Sequence, residues 1–332
     1  MTRVKISPIR LGRTGPEVFP LGLGCMGMSP GVYGPTDDAQ GVATIHAALE
    51  RGVSLLDTGD FYGMGHNELL VRRAIEGRRD QVQLSVKFGA LRSPEGAFLG
   101  FDARPAAVKS FLTYSLRRLG VDHIDVYRPA RLDPTVPIED TIGAISELIE
   151  KGYVRHIGLS EVGAETIRRA HAVHPIADLQ IEYALVSRGP EAKIFGVLDE
   201  LGIGATLYGV LSRGLLGGKT PGGPGDFRNY LPRFTGDNGR RNAELVAGFS
   251  RYAGELGLSP GQLAIAWVRA KRPEFLPVIG ARTPEQLDDA LGALSFALEP
   301  EQVAELERIV PEGAVAGTRY QAEQMAHLDS ER

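Results

Sequence analysis

Three residues in the first third of the chain have side chains suited to proton transfer: Asp57, Tyr62 and Lys87. Lys87 ends a largely apolar run, and a lysine buried there needs a partner charge to keep its proton. Asp57, which ends the preceding apolar run, is the candidate partner. A phenol beside the ammonium is expected to have a pKa below its usual value of about 10, which makes Tyr62 a candidate general acid. The alternative is a structural Asp57–Lys87 pair with an incidental tyrosine.

Two glycine-rich segments match nucleotide-binding motifs without the context that those motifs need. Residues 22–27 fit the dinucleotide fingerprint G-x-G-x-x-G, but residues 28–35, MSPGVYGP, cannot begin the required helix. Residues 218–220 end like a P-loop, yet the position of its first glycine holds Arg213. The 7 histidines show no metal-ligand spacing, so the sequence predicts no metal site.

The elements that must position these residues are alternating strands and helices. Segments typical of buried strands, each ending in a polar or cofactor-compatible residue, are 53–57, 82–87, 124–127, 154–160, 177–180, 203–208 and 275–280. Predicted helices are 38–51, 67–76, 104–119, 138–151, 164–173, 190–201, 242–256, 260–271 and 284–294. The pattern predicts an α/β fold, a (β/α)8 TIM barrel, whose active site lies at the carboxyl ends of its strands.

Three segments lie outside this alternation. Residues 9–12 and 18–21 flank a Thr-Gly-Pro turn and predict an N-terminal β-hairpin that closes the bottom of the barrel. Residues 217–241 form a long loop that is either a lid over an anionic ligand or a solvated loop. Its arginines are Arg228, Arg233, Arg240 and Arg241. The C-terminal tail, 313–332, either packs over the pocket, contacts another subunit or stays mobile.

Composition favours one large globular domain spanning residues 1–332. The hydrophobic fraction of 43% and the charged fraction of 23% are near the average for globular proteins, and α/β barrels reach this length as one unit. A net charge of −4 without a basic block argues against a nucleic-acid partner. The single cysteine, Cys25, excludes an internal disulfide and fits a reducing compartment. With no signal-like or membrane-length apolar run, the predicted location is the cytoplasm. The oligomeric state stays open.

A series of motifs in this sequence resembles those of the aldo-keto reductases. The strongest are LLDTGDFYG at 55–63 and VKFG at 86–89. Further matches lie at 158–161, 180–183, 208–214, 227–234, 262–267 and 280–291. The resemblance covers nearly the whole chain and implies a barrel that binds a nicotinamide cofactor, NADPH rather than NADH, without a Rossmann domain. It also implies reversible hydride transfer to an aldehyde or ketone, a small-molecule substrate.

The resemblance implies a role for each residue that matches. Tyr62 is the general acid, Lys87 lowers the pKa of Tyr62, and Asp57 holds Lys87. Ser160 and Gln180 fall where the family hydrogen-bonds the nicotinamide carboxamide.

The resemblance extends the cofactor site toward the adenosine end. Tyr208 falls where an aromatic ring stacks on the nicotinamide. The complete set of implied cofactor-binding positions is Gly24, Met26, Ser160, Gln180, Tyr208, Leu211, Arg213, Lys219, Gly280, Arg282, Gln286 and Asp289. The charged members have an ordinary alternative as solvated side chains, and Gln180 and Tyr208 have one as buried packing.

The sequence departs from the family pattern at Ala130, which occupies the position of a histidine. That histidine hydrogen-bonds the substrate carbonyl oxygen, and loss of such a donor costs on the order of a hundredfold in rate, about 3 kcal/mol. Three explanations stay open. Tyr62 alone suffices, another donor such as Arg128 or a water substitutes, or catalysis is secondary to cofactor sensing. His66 is a weaker substitute, expected to be an ordinary residue near a helix start.

The second hypothesis is an NADP(H)-binding sensor or regulatory subunit with little turnover. The β subunits of voltage-gated potassium channels, which also resemble aldo-keto reductases and lack the histidine, set that precedent. For the enzyme, the candidate pocket residues are Tyr33, Phe61, Phe88, Arg128 and Ala130. Their mixture favours an apolar or aromatic carbonyl compound with a polar handle.

Overall fold

A closed barrel of eight parallel strands forms the centre of the part of the chain that the computed structural model describes, residues 6–217, 221–223 and 225–332. In chain order its strands are β3 (Gly22–Gly24), β4 (Leu55–Gly59), β5 (Gln83–Phe88), β8 (Ile124–Pro129), β9 (Val154–Ser160), β10 (Ile176–Glu182), β11 (Gly204–Tyr208) and β12 (Leu276–Gly280). Each strand pairs with the next, and β12 pairs with β3 to close the ring. The predicted α/β TIM-barrel fold is confirmed.

Helices surround this barrel, and all of those described except the last bury side chains. They are α1 (Asp38–Glu50), α2 (His66–Ile75), α3 (Pro105–Leu119), α4 (Ile138–Glu150), α5 (Ala164–Val173), α6 (Pro190–Leu201), α7 (Gly236–Glu255), α8 (Pro260–Lys271), α9 (Pro284–Gly292), α10 (Pro300–Ile309) and α11 (Ala322–Met325). Their ends follow local chemistry: the Asp37 carboxylate caps α1, Ser259 forms a capping box with Gln262, and Gly120 ends α3 with φ 67°.

The N-terminal hairpin closes the bottom of the barrel, as predicted. Its strands are β1 (Ile9–Arg10) and β2 (Glu17–Val18). Between them Gly12 has φ +61°, and a Cβ there would lie 2.5 Å from the backbone nitrogen of Gly204, at the start of β11. Only glycine permits this approach. The buried side chains of Leu11 and Val18 then form an apolar layer with Leu55 inside the barrel.

Several elements were absent from the sequence-based prediction. The first barrel strand, β3, has only three residues and lies inside the false dinucleotide motif. A second hairpin of β6 (Ala90–Arg92) and β7 (Phe98–Phe101) follows β5. Helix α10 precedes the C-terminal tail, and helix α11 lies within it. Within the described ranges, no helix combines the length and apolar character needed to cross a membrane.

Candidate active site

The predicted pair of Asp57 and Lys87 meets inside the mouth of the barrel. The Lys87 Nζ donates to Asp57 Oδ2 over 2.5 Å, and both residues are 5% exposed. The other carboxylate oxygen, Asp57 Oδ1, accepts from Ser85 Oγ at 2.9 Å and from Gln180 Nε2 at 2.8 Å. A buried carboxylate satisfied at both oxygens is held in one orientation, and so is the ammonium that it pairs.

Tyr62 lies over this pair on a strained turn. It opens a short 3-10 turn after β4, in which Gly63 and Met64 have φ of 56° and 54°. A left-handed methionine is uncommon and marks a turn whose shape the surroundings impose. The Lys87 Nζ is 5.3 Å from the centroid of the Tyr62 ring, and the Phe61 ring contacts that ring edge-on at 4.8 Å. The three residues that the sequence singled out are therefore neighbours in space.

The expected fall in the pKa of Tyr62 is not met in this structure. Burial raises the pKa of the Tyr62 hydroxyl well above 10, and the negative charge of Asp57 adds to that rise. Burial also lowers the pKa of Lys87, against the opposing effect of Asp57. Sequence reasoning counted the lysine charge and left out the loss of solvent and the neighbouring carboxylate. Tyr62 consequently keeps its proton at neutral pH.

Arg128 lies beneath the site. Its side chain is fully buried and its guanidinium Nη1 pairs with Asp178 Oδ2 at 3.1 Å, while Nη2 donates to Ser85 Oγ at 3.0 Å. Thr206 Oγ1 completes the cluster by donating to Asp178 at 2.7 Å. The expectation that Arg128 faces the substrate is therefore wrong. Its guanidinium is enclosed in the barrel interior, where it donates to Ser85 and so helps to hold Asp57.

The strand ends across the barrel bring three further predicted residues to the mouth. Ser160 ends β9 and is buried, with its Oγ 3.4 Å from a guanidinium nitrogen of Arg131. Gln180 lies in β10 and reaches Asp57. Tyr208 ends β11, and its hydroxyl donates to Glu161 Oε1 at 2.7 Å. Parallel strands place these side chains around one opening.

The C-terminal tail covers that opening. Arg319 Nη2 pairs with Glu161 Oε2 at 2.6 Å, and the Tyr320 hydroxyl is 3.1 Å from that of Tyr208. The guanidinium of Arg213 stacks on the Tyr320 ring at 4.4 Å. Of the three possibilities for residues 313–332, the structure has the tail packed over the pocket.

A second contact anchors the far end of the tail. The Asp329 carboxylate accepts from the backbone nitrogen of Gly163 at 2.8 Å and from Thr166 Oγ1 at 2.7 Å, at the start of α5. Ser330 Oγ donates to Glu161 Oε2 at 2.6 Å. The tail therefore caps a barrel helix and shares the carboxylate that holds Arg319.

The sequence as a whole matches a known family over most of its length. A model of the Aldo/keto reductase family matches residues 20–311. The chain belongs to the aldo/keto reductase family. It is similar to a probable aldo-keto reductase 1 of Glycine max, with 38% identity over 324 residues that cover 96% of this chain and 93% of the relative.

Solved structures of aldo-keto reductases share the architecture. A glycerol dehydrogenase from Gluconobacter oxydans superposes with a TM-score of 0.82 at 29% identity, covering 91% of this chain and 94% of its own. An aldo-keto reductase from Bacillus halodurans, in its holo form, superposes with a TM-score of 0.76 at 25% identity, covering 96% and 100%. The protein is therefore an oxidoreductase that acts on carbonyl or alcohol groups of small molecules, and its family uses nicotinamide cofactors.

In this aldo-keto reductase the positions implied for the adenosine end lie together after β12. Gln286 Oε1 accepts from the backbone nitrogen of Arg282 at 2.9 Å, and Asp289 accepts from Ser259 Oγ at 3.0 Å. The Arg282 guanidinium donates to the carbonyl of Tyr33 at 3.1 Å and to that of Pro35. Arg282 thus ties the loop after β3 to the loop after β12.

The loop after β11 holds the positions implied for the pyrophosphate. Arg213 pairs with Glu182 at 2.9 Å, and Leu211 precedes it at the start of a short 3-10 turn. Lys219 lies outside the described residues. On the two strands that follow β11 around the barrel, Gly24 and Gly280 are register partners in β3 and β12, and half-buried Met26 begins the turn after β3.

The four arginines of residues 217–241 separate into two pairs. Arg228 binds Asp226 at 2.6 Å and covers the Tyr33 ring at 5.4 Å, and Arg233 donates to Ser187 Oγ at 2.8 Å. Arg240 and Arg241 belong to α7. The first pair lies beside the mouth, as a lid would, whereas the second lies on a helix.

The remaining pocket candidates differ in position. Phe88 is fully buried and stacks on Tyr127 at 4.3 Å, so it is a core residue and not a pocket residue, contrary to prediction. Phe61 touches Tyr62, and Tyr33 packs against Phe227 at 5.4 Å. His66 starts α2, where Ser29 and Asp38 engage its ring, which confirms it as an ordinary helix-start residue.

Sequence reasoning missed residues that the fold brings to the mouth. The predicted pocket residue Ala130 directly follows β8 and is 3% exposed, and its carbonyl oxygen accepts from the guanidinium of Arg131, which was not predicted. Glu161, Arg319 and Tyr320 converge from far apart in the chain. The one local signal for Arg131 was its charge, close to the end of a strand that lacks the expected histidine.

Proposed function

We propose that this protein reversibly reduces an aldehyde or ketone with NADPH and that Tyr62 donates the proton. The observation that carries the proposal is the buried Lys87–Asp57 pair, 2.5 Å long, beneath the Tyr62 ring at the mouth of an aldo/keto reductase barrel. In such an arrangement the tyrosine can donate a proton, and the lysine, held by the carboxylate, can stabilise the phenolate that remains.

The residues present fit a nicotinamide dinucleotide. The hydroxyl of Ser212, the residue before Arg213, is buried without a hydrogen-bond partner among the described residues. Ser212 and Arg213 have left-handed φ of 47° and 57°, a strained pair that suits close contact with a ligand. Ser212 and Arg213 would hold the pyrophosphate, Ser160 and Gln180 the carboxamide, and Arg282 the 2′-phosphate of NADPH.

The chemistry divides between the cofactor and the protein. When bound, NADPH supplies the hydride that reduces the carbonyl carbon. Tyr62 gives the proton of its hydroxyl to the carbonyl oxygen, and Lys87 stabilises the phenolate that remains. Asp57 keeps Lys87 charged and fixed, and Arg128 and Ser85 hold Asp57 from below. In the reverse direction the Tyr62 phenolate accepts a proton from the alcohol.

The surroundings support an apolar or aromatic substrate with a polar group. A groove of about 470 Å³ opens beside Phe61, and its walls combine apolar with polar and charged side chains: Met64, Leu91, Phe111, Asp60, Arg92, Ser93 and Arg118. Such a groove suits an apolar or aromatic body that also carries a polar group.

The test is loss of NADPH absorbance with purified protein against aromatic aldehydes, diketones and simple ketones. Turnover is expected for at least one class, and Tyr62→Phe is expected to remove it while NADPH binding, followed by quenching of protein fluorescence, changes little. Turnover that persists in Tyr62→Phe would contradict the role of Tyr62. Bound NADPH with no turnover on any carbonyl would contradict the proposal and favour a regulatory role.

A further inference from the structure

The family resemblance implies that a hydrogen-bond donor to the substrate carbonyl is missing at Ala130, and the side chain of the next residue, Arg131, lies against the Ala130 backbone. Arg131 Nη1 donates to the carbonyl oxygen of Ala130 at 2.6 Å and lies 3.4 Å from Ser160 Oγ. The guanidinium thus turns back toward the Ala130 backbone, and the side chain is half-buried.

Arg131 lies among the residues of the proposed reaction site. Its positive charge acts on the hydroxyl of Tyr62 and on the ammonium of Lys87, and Tyr208 and Glu161 in turn favour the charged form of Arg131. The guanidinium that lies 3.4 Å from Ser160 Oγ, the proposed nicotinamide contact, therefore also acts through its charge on Tyr62, the proposed proton donor.

Most of the donor capacity of Arg131 is unused. Among the described residues no carboxylate lies within the 4.0 Å of an ion pair, and neither its Nε nor its Nη2 donates a hydrogen bond. An arginine presents five N–H groups, so several remain for a ligand. A half-buried guanidinium without a paired carboxylate suits an oxygen that becomes negative during a reaction.

We propose that Arg131 donates a hydrogen bond to the substrate carbonyl oxygen and stabilises its developing negative charge, in place of the histidine absent at Ala130. The inference rests on the proposed reduction and adds a catalytic residue to it. As hydride reaches the carbonyl carbon, the electron pair of the C=O bond moves to oxygen, where the Arg131 N–H groups and then the Tyr62 proton meet it.

The other candidate donors are occupied. The guanidinium of Arg128 already donates hydrogen bonds inside the barrel, to Asp178, Thr206, Ser85 and the Leu159 carbonyl. The His66 ring binds Ser29 at 2.9 Å and Asp38 at 3.0 Å. Neither side chain can turn to the mouth without leaving a buried charge or polar group unpaired.

An arginine in this role has a different pH dependence from a histidine. Burial disfavours its charged form, but Tyr208, Tyr320 and Glu161 outweigh that effect and hold the pKa of Arg131 above its usual value. The guanidinium therefore stays protonated throughout the working range, and no imidazole titration limits the rate near neutrality.

The experiment compares Arg131→Met, Arg131→Lys and the double variant Ala130→His with Arg131→Met. Arg131→Met is expected to lower kcat by on the order of a hundredfold, as loss of an oxyanion donor does, with little change in NADPH affinity. Arg131→Lys is expected to keep part of the rate, and Ala130→His to restore part of it in the Arg131→Met background. The matched control is Arg117→Met, an exposed arginine of α3. Unchanged kcat in Arg131→Met, or a matching loss of NADPH affinity, would overturn the assignment.

A binding measurement separates this inference from the proposed reaction. Benzoate carries an oxyanion where a carbonyl substrate carries oxygen, and its affinity for the protein saturated with NADP⁺ is measured by calorimetry. Arg131→Met is expected to lower the affinity for benzoate by about tenfold or more. Equal benzoate affinity in wild type and Arg131→Met would refute an oxyanion site at Arg131. Benzoate binding that depends on Arg131, in a protein without turnover, would refute the proposed reduction but would support an oxyanion-binding site at Arg131.

Discussion

Arg319 Nη2 lies 2.6 Å from Glu161 Oε2, in an ion pair that joins residues 158 positions apart and closes the tail over the barrel mouth. Glu161 is fully buried and Arg319 is 7% exposed. Glu161 also accepts from Tyr208, and Arg319 also reaches Glu331 at 2.8 Å. The residue proposed to stack on the nicotinamide therefore shares its carboxylate partner with the tail.

This ion pair predicts an acid-dependent stability. Burial raises the pKa of Glu161, but the hydrogen bonds and charge of Arg319 outweigh it and lower that pKa from 4.5 to about 2. Because the folded pKa is depressed, the stabilisation is complete above 4.5 and is lost as the pH falls toward about 2. The shift corresponds to on the order of 3 kcal/mol.

The measurement is urea unfolding of wild type and Glu161→Gln at pH 7 and at successively lower pH. The difference in unfolding free energy between the two proteins is expected to shrink as the pH falls below about 4.5. Glu312→Gln, at an exposed position, is the control and should follow wild type at every pH. A Glu161→Gln difference that is independent of pH would contradict the assigned ionisation.

Replacement of Lys87 by methionine tests the buried pair. Lys87→Met leaves the Asp57 carboxylate buried without its cation, and loss of one partner of a buried pair costs about 3–5 kcal/mol. The exposed pair of Lys109 and Glu147, 2.7 Å long, provides the control, since Lys109→Met should cost about 0–1 kcal/mol. Urea unfolding at pH 7 measures both, and equal costs would mean that Asp57 is solvated or protonated.

Arg282 is expected to distinguish NADPH from NADH. A charged hydrogen bond to the 2′-phosphate is worth about 1.5–3 kcal/mol, so Arg282→Ala should weaken NADPH by about tenfold or more and NADH far less. Fluorescence titration gives both dissociation constants. Arg10→Ala, on the hairpin at the bottom of the barrel, is the matched control. Equal weakening of the two nucleotides would mean that Arg282 acts only through the loop of Tyr33 and Pro35 that it binds.

The sequence predicted the barrel because hydrophobic strands and capped helices alternate along it. The same reasoning located Asp57, Tyr62 and Lys87, since strand ends meet at one face of a barrel. It missed β3, whose three residues are too short for a periodic pattern, and it misplaced Arg128 and Phe88, because a strand end alone does not say which side chains point inward. The pKa of Tyr62 depended on burial, which local sequence does not reveal.

The tail and Arg131 show a different limit. Arg319 meets Glu161 only after the whole barrel has closed, so no local pattern links them. From the sequence, Ala130 could only be described as lacking the expected histidine. The guanidinium of Arg131, which we propose compensates for it, could be identified only from its direction in the structure. Sequence periodicity carries no information about which charged residues pair when they lie far apart in the chain.

The most direct test of the account is transfer of deuterium from NADPH labelled at C4 of the nicotinamide to the product of a carbonyl substrate. Mass spectrometry of the alcohol formed by wild type should find one deuterium on the carbinol carbon from one labelled face of the ring and none from the other, and no deuterated product with Tyr62→Phe. Alcohol that carries no deuterium from either face, or the same labelled product from Tyr62→Phe, would contradict hydride transfer with Tyr62 as the proton donor.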